Sequence, residues 1–369
     1  MIEDKNLNYQ YITCNEQLSL LCDALKQATT ISLDTEFMRT RTYYPQMGLI
    51  QLYADGHLAL IDPLHIDNWQ CLITILRSQS LQKYFHACSE DIDVFMYKFD
   101  LIPTSILDSQ VVASFLDNPI CSGYATLVNK YLQVKLDKSE TRTDWLARPL
   151  TDKQCHYAAA DVYYLHPLMD TLIEHVTAKG WFTAAREECQ TLLRKKQDII
   201  QPENAYQYIK KASQLKGVAL NQLQRLAKWR LEYARSHNIA VNFVLHEELL
   251  WKIARYQPTS LAELTALGMH GREIRLYGET IVNMLKQPIL QPLAELVRTV
   301  DYPNYKKIAQ HLKMAADNIA SDTGLNQELI LSRRHINQYV EWLTDPTQQP
   351  LPEIVSGWRK PLFADYLSA

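Results

Sequence analysis

The chain has no excess of basic residues: 38 Lys and Arg stand against 41 Asp and Glu, a formal net charge of −3 over 369 residues. Nucleic-acid binding through a globally basic surface is therefore excluded, and any such binding has to come from local patches. No Cys-x-x-Cys pair occurs among the seven cysteines (Cys14, Cys22, Cys71, Cys88, Cys121, Cys155 and Cys189), and their number is odd. No four-membered Cys/His set has zinc-finger spacing. Neither a disulfide framework nor a structural zinc site is expected, and the thiols read as free, mostly buried groups in a reducing compartment. A run of about 18 apolar residues is also missing, so no membrane span is expected. The opening MIEDKNLNYQ is acidic and polar, unlike a secretory signal. A cytoplasmic protein is the expectation. What is present has a globular balance, 47% hydrophobic and 21% charged, at a length that suggests two or three domains.

The first half alternates strand-like and helix-like segments. TTISLDTEF reads as a strand, and GLIQLYADGHLALID as a hairpin turning at Asp55-Gly56. NWQCLITILRS reads as an amphipathic helix, LQKYFHA as a short strand, and SEDIDVFMYKF as a helix with Ser89 at its N-cap. ILDSQVVASFL reads as a helix capped by Asp108, and residues 136–150 as a polar loop. Thr151 and Gln154 have capping-box spacing ahead of one long helix over residues 152–178. This pattern predicts an α/β domain over residues 1–204, a mixed sheet flanked by helices. Strand signals almost vanish after it. Residues 205–288 read as an all-α domain, with a second capping box at Ser260 and Glu263 and a stop at Gly268. The Pro-flanked KQPILQP reads as a linker, and residues 289–369 as a second all-α domain. The long-helix, break, helix pattern of 215–257 recurs there at an offset of about 86 residues.

Four acids in three separated segments are the chemically informative feature: Asp34 and Glu36 in ISLDTEF, Asp91 in HACSEDIDVF and Asp161 in HYAAADVYYL. Residues i and i+2 of a strand share a face, so Asp34 and Glu36 point the same way. Tyr157 and Asp161, at i and i+4, share a helix face, and Ala158, Ala159 and Ala160 between them permit close packing on the sheet. Asp91 lies in the first turn of its helix, where a carboxylate is favoured. Clustered carboxylates need positive charge, and two hard cations, Mg²⁺ or Mn²⁺, about 4 Å apart would supply it. One would polarise an attacking water and the other would stabilise a leaving 3′-oxygen. Tyr157 would hold or help deprotonate that water, although an unperturbed tyrosine, with a pKa of about 10, is a poor base. Alone, a D-x-E is most often a pair of solvated acids, and a Y-x-x-x-D is an ordinary polar helix pair. The ordered combination on the right element types is what carries the reading.

These segments, with YPQMGLIQLY, LDKSETRTDWLARPLT and YAAADVYYL, resemble the DEDD superfamily of 3′→5′ exonucleases and, within it, the ribonuclease D family. The two helical units resemble HRDC (helicase-and-ribonuclease-D C-terminal) domains, the first clearly and the second loosely. The resemblance implies a ribonuclease H-like fold, divalent metals, and hydrolytic removal of 3′ nucleotides from tRNA precursors and other small structured RNAs. By position it implies that Asp34, Glu36 and Asp161 ligate one metal. Asp34 would bridge to the second, with Asp91 reached directly or through water. The superfamily divides by whether the water-orienting residue is a tyrosine four before the last acid or a histidine five before it. His156 and Tyr157 satisfy both spacings here. On a helix, i+4 lies about 40° from alignment and i+5 about 140°, which favours Tyr157 and leaves His156 facing solvent.

Candidate substrate contacts are Phe37, Met38 and Arg39 after the first acids, His86 before the Asp91 helix, and Lys138, Arg142, Trp145 and Arg148 in the polar loop. Mixed cations and aromatics suit sequence-independent gripping of a single strand. The competing readings are a core phenylalanine, a structural histidine and a plain solvated loop. Lys216, Arg225, Lys228, Arg230 and Arg235, and further on Lys306, Lys307, Lys313, Arg333 and Arg334, give local positive density for an RNA body, or else solvated helix faces. Trp229, Tyr233 and Trp251 read as core. Nothing demands a dimer. The function expected is a metal-dependent 3′→5′ exoribonuclease releasing nucleoside 5′-monophosphates. The alternatives are a DNA 3′→5′ exonuclease, against which the tandem helical tail speaks, and a catalytically silent RNA-binding protein, against which the four acids speak.

Overall fold

The structure is a computed structural model that describes residues 7–137, 140, 143–289 and 292–367. Two compact units result. The first comprises the chain up to Met38, Pro45–Gln197 and the residues from Asn304 onward; the second comprises Arg39–Tyr44 and Asp198–Pro303. No helix among the described residues is long and apolar enough to cross a membrane.

The first unit is built on six strands: β1 (Gln10–Ile12), β2 (Thr30–Met38), β3 (Gln46–Ala54), β4 (His57–Ile61), β5 (Gln82–Phe85) and β6 (Ile106–Asp108), in the order β1-β4-β3-β2-β5-β6. β2, β3 and β4 pair antiparallel, whereas β1, β5 and β6 join parallel to their neighbours. The mixed sheet is thus as expected. The β3–β4 hairpin turns at Asp55-Gly56, both with positive φ (48° and 82°), the backbone that a tight primed turn requires. The sequence pattern does not show β1 and β6: each has three residues, too few to display alternation, and Ile106–Asp108 runs directly into the helix that Asp108 caps.

Eight helices of this unit are α1 (Asn15–Ala24), α2 (Gln70–Arg77), α3 (Ser89–Phe99), α4 (Ser109–Ser114), α5 (Tyr124–Leu132), α6 (Asp152–Tyr163), α7 (Leu165–Ala178) and α8 (Phe182–Gln197). One face of the sheet presents Ile31, Leu33, Ile50, Leu52, Ala59 and Ile61, buried under Leu18 and Leu21 of α1, Leu72 and Leu76 of α2 and Ile92 and Phe95 of α3. α6 and α7 cover the opposite face, and there the His166 ring nitrogens lie 3.3 Å from the hydroxyls of Thr30 and Ser32. The helix expected over 152–178 breaks at Tyr164. Pro167 has no N–H to donate to the Tyr163 carbonyl, and its ring crowds that carbonyl. Cys88, not Ser89, is the N-cap of α3, and it makes no side-chain cap bond. The carboxylate of Asp108 serves that end instead: it accepts from the N–H groups of Ala87 (3.1 Å) and Cys88 (2.8 Å) while capping α4 through Gln110 N–H (2.8 Å).

The second unit is helical. Its core gathers Leu220, Leu223 and Leu226 of Gly217–Ser236 against Leu250 and Ile253 of Glu247–Tyr256 and Ile281 of Glu279–Lys286. Trp229, Tyr233 and Trp251 pack half-buried on it, in keeping with a core role. Tyr43 belongs to the same core; Arg235 donates to its hydroxyl at 3.0 Å and stacks over its ring at 5.6 Å. The helical repeat is real: Val241–Val244 and Glu247–Tyr256 correspond to Gln327–Ile330 and Arg333–Thr344, each 86 residues later.

The final helices lie in the first unit. Arg359, 3% exposed, is the fixing point: it pairs with Glu188 of α8 at 2.7 Å, donates to the carbonyls of Leu329 (2.8 Å) and Ile330 (3.2 Å), and stacks over Trp358 at 4.3 Å. Gly357, at φ 53°, sits so close to α8 that a Cβ there would overlap the Glu187 carboxylate. Truncating one member of a buried pair strands the other charge, at about 3–5 kcal/mol. Arg359→Ala is expected to lower stability by that amount in urea unfolding, and a loss below about 1 kcal/mol would contradict this role for Arg359.

Candidate active site

β2 carries Asp34 and Glu36 on one face, and a β-bulge follows directly between Glu36 and Phe37. α6 lies over that face. Ala158, Ala159 and Ala160 are buried at 0%, 0% and 5% exposure, so the helix axis comes close to the strands and Asp161 reaches the strand acids. Oxygens of Asp34, Glu36 and Asp161 all lie within 4.8 Å of one another. The start of α6 is fixed by the expected capping box: Gln154 N–H donates to Thr151 Oγ1 at 3.2 Å, and Thr151 N–H donates to Gln154 Oε1 at 3.0 Å.

Asp91 arrives from the other layer of the sheet. β5 pairs with β2 only over Thr30–Ser32, so the edge of β2 is open beyond that point and the first turn of α3 fills it. There Asp91 accepts hydrogen bonds from the Thr35 hydroxyl and from the Thr35 N–H (3.1 Å); the same N–H also reaches Asp34 Oδ1 at 2.9 Å. Thr35, the residue between the two strand acids, therefore ties the fourth carboxylate to the cluster.

Burial raises Asp34, Glu36 and Asp91. The carboxyl of Glu36 is pushed up to about 9 by burial and by the negative charges of Asp161 and Asp91. Asp34 stands well above the usual carboxylate range, from burial and then from Asp91, Asp161 and Glu36. Asp91 rises only to about 6, because burial is offset by the two Thr35 hydrogen bonds. Oxygen-only donors gathered at this spacing, and destabilised by their own repulsion, fit hard divalent cations.

Tyr157 and His156 are both half-buried on α6. The Tyr157 ring packs against Trp145 at 6.2 Å. Tyr124, at the start of α5, is a site residue that no sequence motif marked. Its hydroxyl donates to the Ala160 carbonyl at 3.2 Å, and its phenol is driven well above 10 by burial and by Asp161 and Asp34. His86 lies beside it, ring to ring at 5.4 Å, with Nδ1 2.8 Å from the Ser109 hydroxyl; burial lowers its pKa, and Asp108 opposes the shift. Phe37 and Met38 are half-buried just past the bulge, and Arg39 is exposed in the second unit.

The loop residues differ from expectation. Trp145, only 2% exposed, has no face to offer a base. Its segment lies flat on β3 because Gly48 has no side chain; a Cβ there would come within 2.6 Å of the Trp145 carbonyl oxygen. Arg148 is committed to Asp62 through two nitrogens and to the carbonyls of Trp145 (2.9 Å), Ala147 (2.8 Å) and Gly48 (2.6 Å), which leaves it anchoring the loop rather than gripping phosphate. Lys138 and Arg142 lie outside the described residues. The basic residues of the first helical repeat are also engaged internally. Lys216 pairs with Glu295, Lys228 with Glu203, Arg225 with the carbonyls of Met284 and Gln287, and Arg230, 6% exposed, with that of Leu245. Arg334 pairs with Glu353, whereas Lys306, Lys307, Lys313 and Arg333 are exposed.

Comparison with known proteins agrees with this geometry. A 3′→5′ exonuclease family matches residues 9–177, the HRDC domain family residues 219–285, and the ribonuclease D C-terminal HRDC domain family residues 303–367. The chain is 48% identical over 366 residues to ribonuclease D of Musicola paradisiaca, covering 98% of each chain. To ribonuclease D of Escherichia coli it is 46% identical over 369 residues, again 98% of each. The crystal structure of Escherichia coli RNase D, an exoribonuclease involved in structured RNA processing, matches with a TM-score of 0.93 and 45% identity over 97% of each chain. An exonuclease domain with a mixed sheet, followed by helical HRDC domains, is the architecture shared.

The raised carboxyls have a consequence for stability. Between the ordinary carboxylate range and about 9 the folded protein holds protons that the unfolded chain releases, so stability is lost as pH rises through that window. With metal chelated, wild type should lose stability relative to Asp161→Asn, which removes one charge, on going from pH 5 to 7.5. Mg²⁺ should raise the wild-type melting temperature more at pH 7.5 than at pH 5. Thermal melts that show no pH-dependent gap between the two proteins would contradict the electrostatic account.

Proposed function

This chain belongs to the ribonuclease D family and is a 3′→5′ exoribonuclease, and we propose that it trims tRNA precursors and other small structured RNAs, releasing nucleoside 5′-monophosphates with two divalent cations, Mg²⁺ or Mn²⁺. The observation that carries the metal reading is the convergence of Asp34, Glu36 and Asp161 within 4.8 Å. These three would hold one cation. Asp34 would reach the second, with Asp91 engaged directly or through water. Bound cations supply an acidified attacking water and neutralisation of charge developing on the scissile phosphate. Tyr157, on the helix face of Asp161, would hold that water in line, and its packing on Trp145 supports a fixed phenol. Tyr124 and His86 would wall the site, and Phe37 and Met38 would meet the terminal nucleotide. The processing of structured RNA ascribed to the Escherichia coli enzyme supports the substrate class. A single chain suffices, since all the carboxylates come from it, and the seven free thiols suit the cytoplasm.

The test is a time course on a 5′-labelled, 3′-extended tRNA transcript with Mg²⁺, Mn²⁺ or EDTA. Shortening from the 3′ end should require metal. Asp34→Ala and Asp161→Asn should each slow it by on the order of 10³-fold or more with the fold retained by circular dichroism. Tyr157→Phe should cost about 10²-fold, and His156→Ala only a few-fold. Full activity in either aspartate variant would refute the assignment.

A further inference from the structure

Gln51 stands in the middle of β3, 0% exposed, and neither its Oε1 nor its Nε2 has a hydrogen-bond partner. It faces Asp34 directly in the antiparallel register of β2 and β3, so the two side chains project from the same face of the sheet, beneath α6. Its other cross-strand neighbour is Leu60 of β4, and Leu49 and Tyr53 flank it on that face of its own strand. In such surroundings a leucine or methionine would fill the space without a polar penalty. An amide buried with neither of its groups bonded is destabilising, and its retention asks for a partner that arrives with function.

We propose that Gln51 is a positioning residue of the carboxylate site: its carboxamide N–H holds the Asp34 carboxylate in the orientation that binds a cation. This rests on the metal reading above. Asp34 Oδ1 is already fixed by the Thr35 N–H at 2.9 Å, and the Gln51 amide is the donor that the register sets opposite. Carboxylates that ligate metals are commonly held by such donors, and removing the donor typically weakens metal binding by about 10–100-fold. The amide of Gln51 thus waits on the site: unbonded when the carboxylate turns to Thr35 alone, bonded when it turns to a cation.

Gln51→Met, close in volume and without hydrogen-bonding groups, separates this role from a packing role. Mn²⁺ affinity of the full chain, read by titration calorimetry and by the electron paramagnetic resonance of free Mn²⁺, should fall about 10–100-fold. The melting temperature in EDTA should stay equal to wild type or rise, since an unbonded buried amide is gone. Unchanged Mn²⁺ affinity, whatever the melting temperature, would overturn the assignment. Gln51→Leu gives the same readout should the methionine variant not fold. A wild-type protein that binds no Mn²⁺ would instead overturn the metal reading itself and Gln51 with it, whereas wild-type binding matched by both variants would overturn Gln51 alone.

Discussion

Like charges held together are the constraint around which the first unit is arranged. Three carboxylates with oxygens within 4.8 Å of one another repel by about 3–4 kcal/mol per ionised pair at an effective dielectric constant near 20. The fold has to outweigh that before any ligand arrives. It does so by apolar burial on the two helices that close over the acids. Val162 on α6 and Leu165, Leu168, Met169 and Leu172 on α7 are each at most 1% exposed, and a fully buried side chain of this kind contributes about 1.5–3 kcal/mol. That burial, together with the repulsion from Asp161 and Asp91, appears as proton uptake, with Glu36 pushed up to about 9. Burial therefore keeps the cluster in place, and its charge is neutralised either by protonation or by a cation bound to the ionised carboxylates.

The same constraint explains how the acids are distributed over the fold. Putting all four on one face of the sheet would compound the repulsion. Asp91 instead comes from the opposite layer, through the gap left where β5 ends, and it accepts from both the hydroxyl and the N–H of Thr35, the latter shared with Asp34. Its carboxyl accordingly rises least, to about 6, among those with a stated value. Asp108 organises the surroundings in a similar way, its carboxylate bonding N–H groups at the starts of both α3 and α4. One buried acid thereby fixes the helix that delivers another.

Much of this was legible in the sequence because the informative signals are local. Alternation and an Asp-Gly turn mark the β3–β4 hairpin, i and i+2 place Asp34 beside Glu36, i and i+4 place Tyr157 with Asp161, and Thr151 and Gln154 announce the start of α6. The helical repeat is likewise a pattern of spacing. What stayed hidden depends on partners distant in the chain. Arg148 looks like a loop cation until Asp62, 86 residues earlier, takes its guanidinium. Trp145 looks like a base-stacking residue until Gly48 lets it sink against β3. Tyr124 sits in no motif and joins the site only because α5 packs on α7, which lets the phenol reach the Ala160 carbonyl of α6. Gln51 reads as one residue of an alternating strand, and only the register shows that it faces Asp34. The break at Tyr164 was signalled by Pro167, but the apolar periodicity continued across it and masked the stop.

Anomalous diffraction from crystals soaked in Mn²⁺ is the most direct measurement of the central claim, that this repulsive cluster is built to be closed by a cation. The structure predicts an anomalous peak coordinated by oxygens of Asp34, Glu36 and Asp161 at metal–ligand distances of roughly 2.0–2.3 Å, and no such peak in Asp161→Asn crystals soaked identically. Crystals that take up Mn²⁺ elsewhere and leave these three carboxylates without density for an ion would contradict it.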